Sequence, residues 1–274
     1  MVINGKTALY GIVGNPVAHS LSPAMHNAAL ADLDINGVYL PFPAPDIEAA
    51  ITGIRGLGIQ GVSVTIPHKE SVMALLDEID PVAKRIGAVN TLILQADENG
   101  KKLIGLNTDW LGATRALEEE TGLDGAHAVL IGAGGSARAI GFGLLERGAD
   151  LILCSRTESR GRSLAEELRC PWVSLAEAEH LSGNILINAT SVGMQPNTAV
   201  SPVPATILSR FQVVMDIVYA PLRTRLLQEA ESAGCKTING LEMLLYQGVA
   251  QFEQWTGRAA PVEVMRKALA AALG

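Results

Sequence analysis

The most restrictive stretch of this chain is six residues long. An apolar run, Ala126-His-Ala-Val-Leu-Ile131, ends in Gly132-Ala133-Gly134-Gly135-Ser136-Ala137, and a helical pattern follows. Few folds are open to a strand that turns through G-x-G-x-x-A into a helix. The first glycine permits the tight turn, the second lets a pyrophosphate approach the backbone, and the small last residue lets the helix pack close on its strand. The N–H groups and dipole at the start of that helix favour an anion. A plain strand–turn–helix corner without a ligand is the alternative, since a glycine pattern alone is weak.

The end of the next strand narrows the choice of ligand. A site for NAD usually carries Asp or Glu about 20 residues past the glycines, to hold the ribose 2′-hydroxyl. Here the segment reads Cys154-Ser155-Arg156-Thr157, with Arg160 one helical turn on. A guanidinium in place of the acid pairs with a phosphate, which points to a 2′-phosphate and so to NADP. Two solvated surface arginines are the bland alternative. Further on, Asn188-Ala-Thr190-Ser191-Val-Gly193-Met194 follows another apolar run. Such a loop can line the crevice where a nicotinamide sits, or it is a surface turn whose side chains bond its own backbone.

Strand-like and helix-like runs alternate along most of the chain. Thr7–Val13, Val38–Phe42 and Gly61–Ile66 read as strands. Ser22-Pro23 reads as an N-cap with Pro at the first helical position, and Ile47, Ile51, Ile54 and Leu57 as one helix face. Val89–Leu94 and Lys102–Leu106 should pair across a turn at Asp97–Gly100. A long helix is expected from about Thr108 to Thr121. Leu151–Cys154, Ile185–Asn188 and Val213–Ile217 look like further strands, and the tail after Gly240 is helical. Alternation of this kind means parallel sheets covered by helices on both faces. The simplest division is two α/β halves meeting near residues 108 and 240.

Composition removes several classes. The 21 Lys+Arg are outnumbered by 28 Asp+Glu, and aromatics are 4% of 274 residues. A nucleic-acid binder needs a basic face or stacking platforms, so no nucleic-acid partner is expected. No stretch of 18 apolar residues occurs and Met1–Tyr10 lacks the layout of a leader, so no membrane association is expected either. Cys154, Cys170 and Cys235 are odd in number and widely spaced, which fits a reducing cytoplasm. The five histidines form no ligand spacing, and no metal is expected. There is no G-x-S-x-G elbow for a serine hydrolase.

In the first half, Val64-Thr65-Ile-Pro-His-Lys69 reads as a strand, a Pro turn and a helix start. A helix dipole disfavours a cation at that end, which suits an ammonium that moves a proton; a solvent-facing lysine is the alternative. Asp109 opens the long helix and reads equally well as a first-turn acid. Ser20 and Ser22 read as caps or turn formers, Thr65 as a strand residue, and Asn90 as a hairpin-edge residue.

Eight ordered segments together resemble the shikimate dehydrogenase family along nearly the whole chain. They are Gly14–Asn27, Val62–Lys69, Gly87–Thr91, Gly105–Asp109, Gly132–Ala137, Ser155–Thr157, Asn188–Met194 and Gly240–Leu244 with Gln247. The resemblance implies two α/β domains with a cleft between them. One is an N-terminal substrate domain, residues 1–108 plus 241–274, to which the C-terminal helix returns. The other is a Rossmann-like NADP-binding domain, residues 109–240. It implies reversible reduction of 3-dehydroshikimate to shikimate by NADPH, with Lys69 and Asp109 as the catalytic pair. Ser20 and Ser22 would hold the substrate carboxylate, Thr65, Asn90 and Gln247 the ring hydroxyls, and Tyr219 would lie against the substrate. The coenzyme would be met by residues 132–137, by Ser155, Arg156, Thr157 and Arg160, and by Thr190, Ile217 and Gly240. Many members have Asn where Ser155 stands; a Ser hydroxyl is expected to substitute at the adenosine phosphate. The chain would act as a monomer or homodimer on a small-molecule substrate. Oxidation of quinate, with NAD as the other coenzyme to weigh, is the runner-up. A non-catalytic NADP-binding regulator is disfavoured by the retained Lys69 and Asp109, and a folate-linked dehydrogenase has support only in the nucleotide half.

Overall fold

The computed structural model describes residues 3–98 and 100–273. Met1, Val2 and Gly274 lie outside them. So does Asn99, within the turn expected between the hairpin strands. The chain forms two compact units, Met1–Thr108 with Gln247–Gly274, and Asp109–Tyr246.

In the first unit the chain runs β1 (Ala8–Gly14), α1 (Ser22–Asp32), β2 (Gly37–Pro43), α2 (Ile47–Leu57), β3 (Gly61–Val64), β4 (Glu78–Ile79), α3 (Pro81–Ile86), β5 (Thr91–Asp97) and β6 (Gly100–Leu106). The strands form one sheet in the order β2-β1-β3-β5-β6-β4. β5 is antiparallel to both neighbours, with Thr91 opposite Leu106; the other pairings are parallel. The start of β5 therefore lies at the same end of the sheet as the last residues of β1, β3 and β6. Local chemistry sets the helix ends. Asp46 caps α2 by accepting from the Glu48 and Ala49 N–H groups at 2.9 and 3.2 Å, and Gly58, at φ 67°, ends it.

Three local expectations change. Ser22 is the first residue of α1, not its cap. The hydroxyl that meets the helix start belongs to Ser20, whose Oγ accepts from the Ser22 N–H at 3.3 Å. No α-helix follows Pro67. Lys69 sits in a turn ahead of a short 3₁₀ helix, Ser71–Leu75, so the helix-dipole argument for that lysine falls away. The helix opening near 108 stops at Glu118, three residues before Thr121.

The second unit runs α4 (Asp109–Glu118), β7 (His127–Ile131), α5 (Gly135–Glu146), β8 (Asp150–Ser155), α6 (Glu158–Leu168), β9 (Trp172–Ser174), β10 (Ile185–Asn188), β11 (Val213–Asp216), α7 (Arg225–Ser232) and β12 (Lys236–Ile238). Its sheet, β12-β11-β10-β7-β8-β9, is parallel throughout. From β9 to β12 the chain order reads 3-2-1-4-5-6, the doubly wound arrangement whose direction reverses between β7 and β10. β10 and β11 are buried at every residue, which is why they read as unbroken apolar runs. Three-residue strands such as β9 and β12 carry too little pattern to be seen in sequence.

The last helices are α8 (Gly240–Thr256) and α9 (Val262–Ala272). The boundary between the units falls inside α8, between Tyr246 and Gln247. In the first unit, the later part of α8 packs tightly. A Cβ on Gly248 would lie 2.2 Å from Met25 Cε, and one on Gly61 only 2.4 Å from Trp255 Cδ1. The Trp255 indole N–H donates to the Leu92 carbonyl at 3.0 Å, so the ring has little freedom to retreat. Gly61→Ala should therefore cost about 1–3 kcal/mol, read as a lower midpoint in urea or thermal unfolding. An unchanged midpoint would show that the indole gives way freely.

Candidate active site

One end of the first sheet gathers polar side chains. The turn after β1 and the turn after β3 are stapled together: the Thr65 N–H donates to the Val13 carbonyl at 2.9 Å, and the Asn15 N–H to the Ile66 carbonyl at 2.9 Å. A Cβ on Gly14 would stand 2.3 Å from Thr65 Cγ2, so only glycine admits this approach. The Lys69 carbonyl accepts from the Val89 N–H at 2.8 Å, tying the lysine's turn to the residue before Asn90. His68 is buried, and its Nε2 lies 2.6 Å from the Ala44 carbonyl, which makes that nitrogen the donor and anchors the same turn.

Asn90 is the hub, at 2% exposure. Its backbone bonds both neighbouring strands: its carbonyl accepts from the Val64 N–H at 2.8 Å, and its N–H donates to Leu106 at 3.1 Å. Its Oδ1 accepts from the Thr108 N–H at 2.7 Å and the Thr91 hydroxyl at 2.7 Å. Its Nδ2 donates to Thr108 Oγ1 at 3.1 Å and, at 3.4 Å, to Gln247 Oε1. The first unit thus brings Ser20, Ser22, Thr65, Lys69, Asn90 and Gln247 to one end of its sheet. Asp109 opens α4 and Tyr219 follows β11, both in the second unit. Asp109 and Gln247 are buried, at 4% and 8% exposure; Lys69, Thr65 and Tyr219 are half-buried.

In the second unit the expected coenzyme residues line the carboxyl ends of the strands. Gly132, at φ 125°, follows β7, and a Cβ there would meet the Ala189 carbonyl at 3.0 Å, so the turn lies against the loop after β10 at the reversal point. Gly134 caps α5 without a side-chain hydrogen bond, and nothing lies within 4 Å of where its Cβ would be. That open, donor-rich helix start fits a pyrophosphate. Ala137 is fully buried, as close helix–strand packing requires. Gly240 allows its backbone to touch the loop after β11: a Cβ would fall 2.3 Å from the Ile217 carbonyl.

The charges after β8 also fit a phosphate. Arg138 pairs with Glu167, and Arg162 with Glu158. Arg156 and Arg160 are exposed and have no ion-pair partner among the described residues. Ser155 behaves differently from expectation. It is 4% exposed; its hydroxyl donates to the Thr157 carbonyl at 3.2 Å and accepts from the Trp172 indole at 2.9 Å. Its proton is spent inside the fold, so Ser155 shapes the loop instead of supplying a donor. Gly161 makes this possible, since a Cβ there would sit 2.1 Å from Ser155 Oγ.

Comparison with known proteins decides the family. Residues 12–92 match the shikimate dehydrogenase substrate binding domain, and residues 240–270 the shikimate 5'-dehydrogenase C-terminal domain. A shikimate dehydrogenase (NADP(+)) of Methanopyrus kandleri is 47% identical, covering 97% of this chain and 96% of its own. The chain belongs to the shikimate dehydrogenase family. A crystal structure of a shikimate dehydrogenase in complex with NADP+ superposes with a TM-score of 0.92 at 42% identity, over 100% of this chain and 98% of the other. The shikimate 5-dehydrogenase of Thermus thermophilus, in complex with NADP(H) and shikimate, gives a TM-score of 0.89 at 39% identity, over 97% and 100%.

Beyond the residues that mark this shikimate dehydrogenase family member in sequence, the structure adds Asp216. It is fully buried at the end of β11 and accepts from Asn188 Nδ2 at 2.9 Å, the Val218 N–H at 3.0 Å and the Thr224 hydroxyl at 2.7 Å. Asn188 in turn accepts from the Thr190 hydroxyl at 2.7 Å and N–H at 3.1 Å. One carboxyl group thereby holds the loops that carry Thr190, Ile217 and Tyr219. The only sequence signal was an acid closing an apolar run, Val213–Asp216.

Burial pushes the Asp216 carboxyl up to about 6, against three donors that pull it down. Between the unfolded value near 3.8 and about 6, the folded protein holds a proton that the unfolded chain has released. This group's contribution to stability is thus full below pH 4 and lost as pH rises through 6. Arg55 beside Asp77 and Arg138 beside Glu167 hold those carboxyls low, an opposite trend that is shared by any variant at 216. Relative to Asp216→Asn, the parent protein should gain up to roughly 3 kcal/mol between pH 7 and pH 4. Urea titrations of both proteins across that range check it; a constant difference would place no titration at this site.

Proposed function

We propose that the protein is an NADP-dependent shikimate dehydrogenase that reversibly reduces 3-dehydroshikimate to shikimate. The supporting observation is identity near 45% over almost the whole chain with enzymes of that name, joined to the polar cluster around Asn90. The first unit, residues 1–108 with 247–274, is the substrate domain, and the second, residues 109–246, holds the coenzyme; the return to the first unit comes six residues later than the expected boundary at 240. The reaction belongs to aromatic amino-acid biosynthesis. Three scattered cysteines, all free, agree with a cytoplasmic setting.

The chain's own groups divide the work. Ser20 and Ser22 donate to the substrate carboxylate. Thr65, Asn90 and Gln247 hold ring hydroxyls, and Tyr219 packs against the ring. Bound NADPH supplies the hydride. Lys69 gives a proton to the oxygen of the ketone being reduced and takes it back in the reverse direction. Asp109 orients the ammonium and accepts from a ring hydroxyl. Arg156, assisted by Arg160, pairs with the 2′-phosphate, while residues 132–137 present backbone N–H groups to the pyrophosphate. The runner-up is quinate oxidation with NAD; exposed Arg156, with no acid in its place, speaks against NAD.

Two measurements test these roles. In a panel of shikimate and quinate with NADP and NAD, kcat/KM should be highest for shikimate with NADP. Arg156→Asp should lower kcat/KM for NADP by about 100-fold or more, the worth of a charge-assisted phosphate contact, with little change for NAD. Equal use of both coenzymes by the parent enzyme would refute the phosphate assignment. Lys69→Ala should cut kcat by about 10²–10⁴ while KM for shikimate moves less than tenfold. Parent-like turnover in that variant would remove lysine from the proton transfer.

A further inference from the structure

Behind Asn90 lies a second layer of buried polar side chains that the proposed chemistry leaves unused. Gln251 stands one helical turn beyond Gln247 on α8 and is fully buried. Its Oε1 accepts from the Ser63 hydroxyl at 2.8 Å. Its Nε2 donates to the Asn90 carbonyl at 3.1 Å and to Thr91 Oγ1 at 3.0 Å. Thr91, also fully buried, passes the chain on by donating to Asn90 Oδ1 at 2.7 Å. In the other direction Ser63 accepts from the Tyr39 hydroxyl at 2.7 Å. Tyr39 stacks on His26 with ring centroids 4.5 Å apart, and its hydroxyl is also within reach of Ser22.

A core-facing helix position is filled most cheaply by an apolar side chain, since buried polar groups cost stability unless each finds a partner. Here both contacts of the Gln251 amide nitrogen lead to Asn90, one directly and one through Thr91, while its oxygen is met by Ser63. The Thr108 N–H can only donate, so the atom it meets is the Asn90 oxygen, and the Thr91 hydroxyl reinforces that orientation. The Asn90 nitrogen is thereby turned to Thr108 Oγ1 and Gln247. Thr91 can donate to Asn90 because its own lone pair is met by Gln251.

We propose that Gln251 is a positioning residue for the substrate site: with Thr91 it sets the place and orientation of the Asn90 amide, and through Ser63 and Tyr39 it ties Asn90 to the start of α1, where Ser22 stands. The inference rests on reading Asn90 as a substrate contact. Gln251 itself meets neither substrate nor coenzyme. Its loss should weaken substrate recognition without touching the coenzyme.

The test uses the full-length enzyme, with shikimate and NADP varied separately. Gln251→Met and Thr91→Val should each raise KM for shikimate roughly tenfold or more, leaving KM for NADP within about twofold. The double variant should be little worse than the worse single one, because both act through one amide. Ile54→Ala, buried elsewhere in the same unit, supplies a control for lost stability alone. Should Gln251→Met fail to fold, Thr91→Val, which keeps the side-chain shape, decides the matter. Variants that melt lower but keep the control's KM for shikimate overturn the proposal. A parent enzyme inactive on shikimate with NADP overturns the reading of the site, and this inference with it. An active parent with unaffected variants overturns the inference alone.

Discussion

The first unit depends on how the Asn90 amide is satisfied. This residue stands where β5 begins, between the ends of β3 and β6, and its backbone bonds both. Its side-chain oxygen receives the Thr108 N–H at 2.7 Å. Thr108 immediately precedes Asp109, so the chain's entry into α4 is held by the same amide that is proposed to meet substrate. A buried amide of this kind has few ways to be wrong cheaply. Each misplacement leaves a donor or acceptor without a partner, at about 1–3 kcal/mol per group. That penalty makes a polar cluster a better positioning device than an apolar one, which tolerates rearrangement at smaller cost.

The antiparallel β5 is what makes the cluster possible. In a fully parallel sheet the starts of strands lie at the far end from the carboxyl-terminal loops. By running β5 backwards, the hairpin brings Asn90 and Thr91 to the end where Thr65, Lys69 and Ser20 emerge from β3 and β1. The second unit has no such inversion. Its sheet is parallel throughout, and the residues proposed to meet the coenzyme all stand at or after carboxyl ends, with Gly132 packed against Ala189 at the reversal between β7 and β10. Asp216 plays there the part that Asn90 plays in the first unit, gathering the loops after β10 and β11 through one buried group.

What could be read from sequence follows from the range of the interactions involved. The G-x-G-x-x-A turn and the fully buried strands were legible because a strand, a turn and a helix dipole are local properties. The position of Arg156, exposed just after β8, was legible because it stands at a known offset from the glycine turn; its phosphate contact is part of the proposal. The edge strands β9 and β12 were not, since three residues carry no period. Lys69 was given a helix that does not form: after Pro67 the chain closes only a 3₁₀ turn. Ser155 was read as a donor to phosphate because nothing in its neighbourhood points to Trp172, seventeen residues on, as the group that claims its hydroxyl. Gln251 was missed for the same reason. Its spacing of four from Gln247 hints at a shared helix face, but its partners are separated from it by about 160 residues or more.

The two kinds of site group differ in how they are held, and the difference has a physical basis. Arg156 and Arg160 are exposed, and their attraction for a phosphate acts at a distance and needs no single rotamer. Groups that must discriminate one ring hydroxyl from another cannot work that way, because a hydrogen bond weakens steeply with misalignment. They are accordingly buried and bonded from behind: Asn90 by Thr91, Thr108 and Gln251, and the Lys69 turn by Val89 and His68. On the proposed assignment, selectivity for the coenzyme phosphate would reside in charge at the surface. Selectivity for the substrate would reside in the fixed orientation of amides and hydroxyls, and any change that loosens the layer behind them should be felt there first.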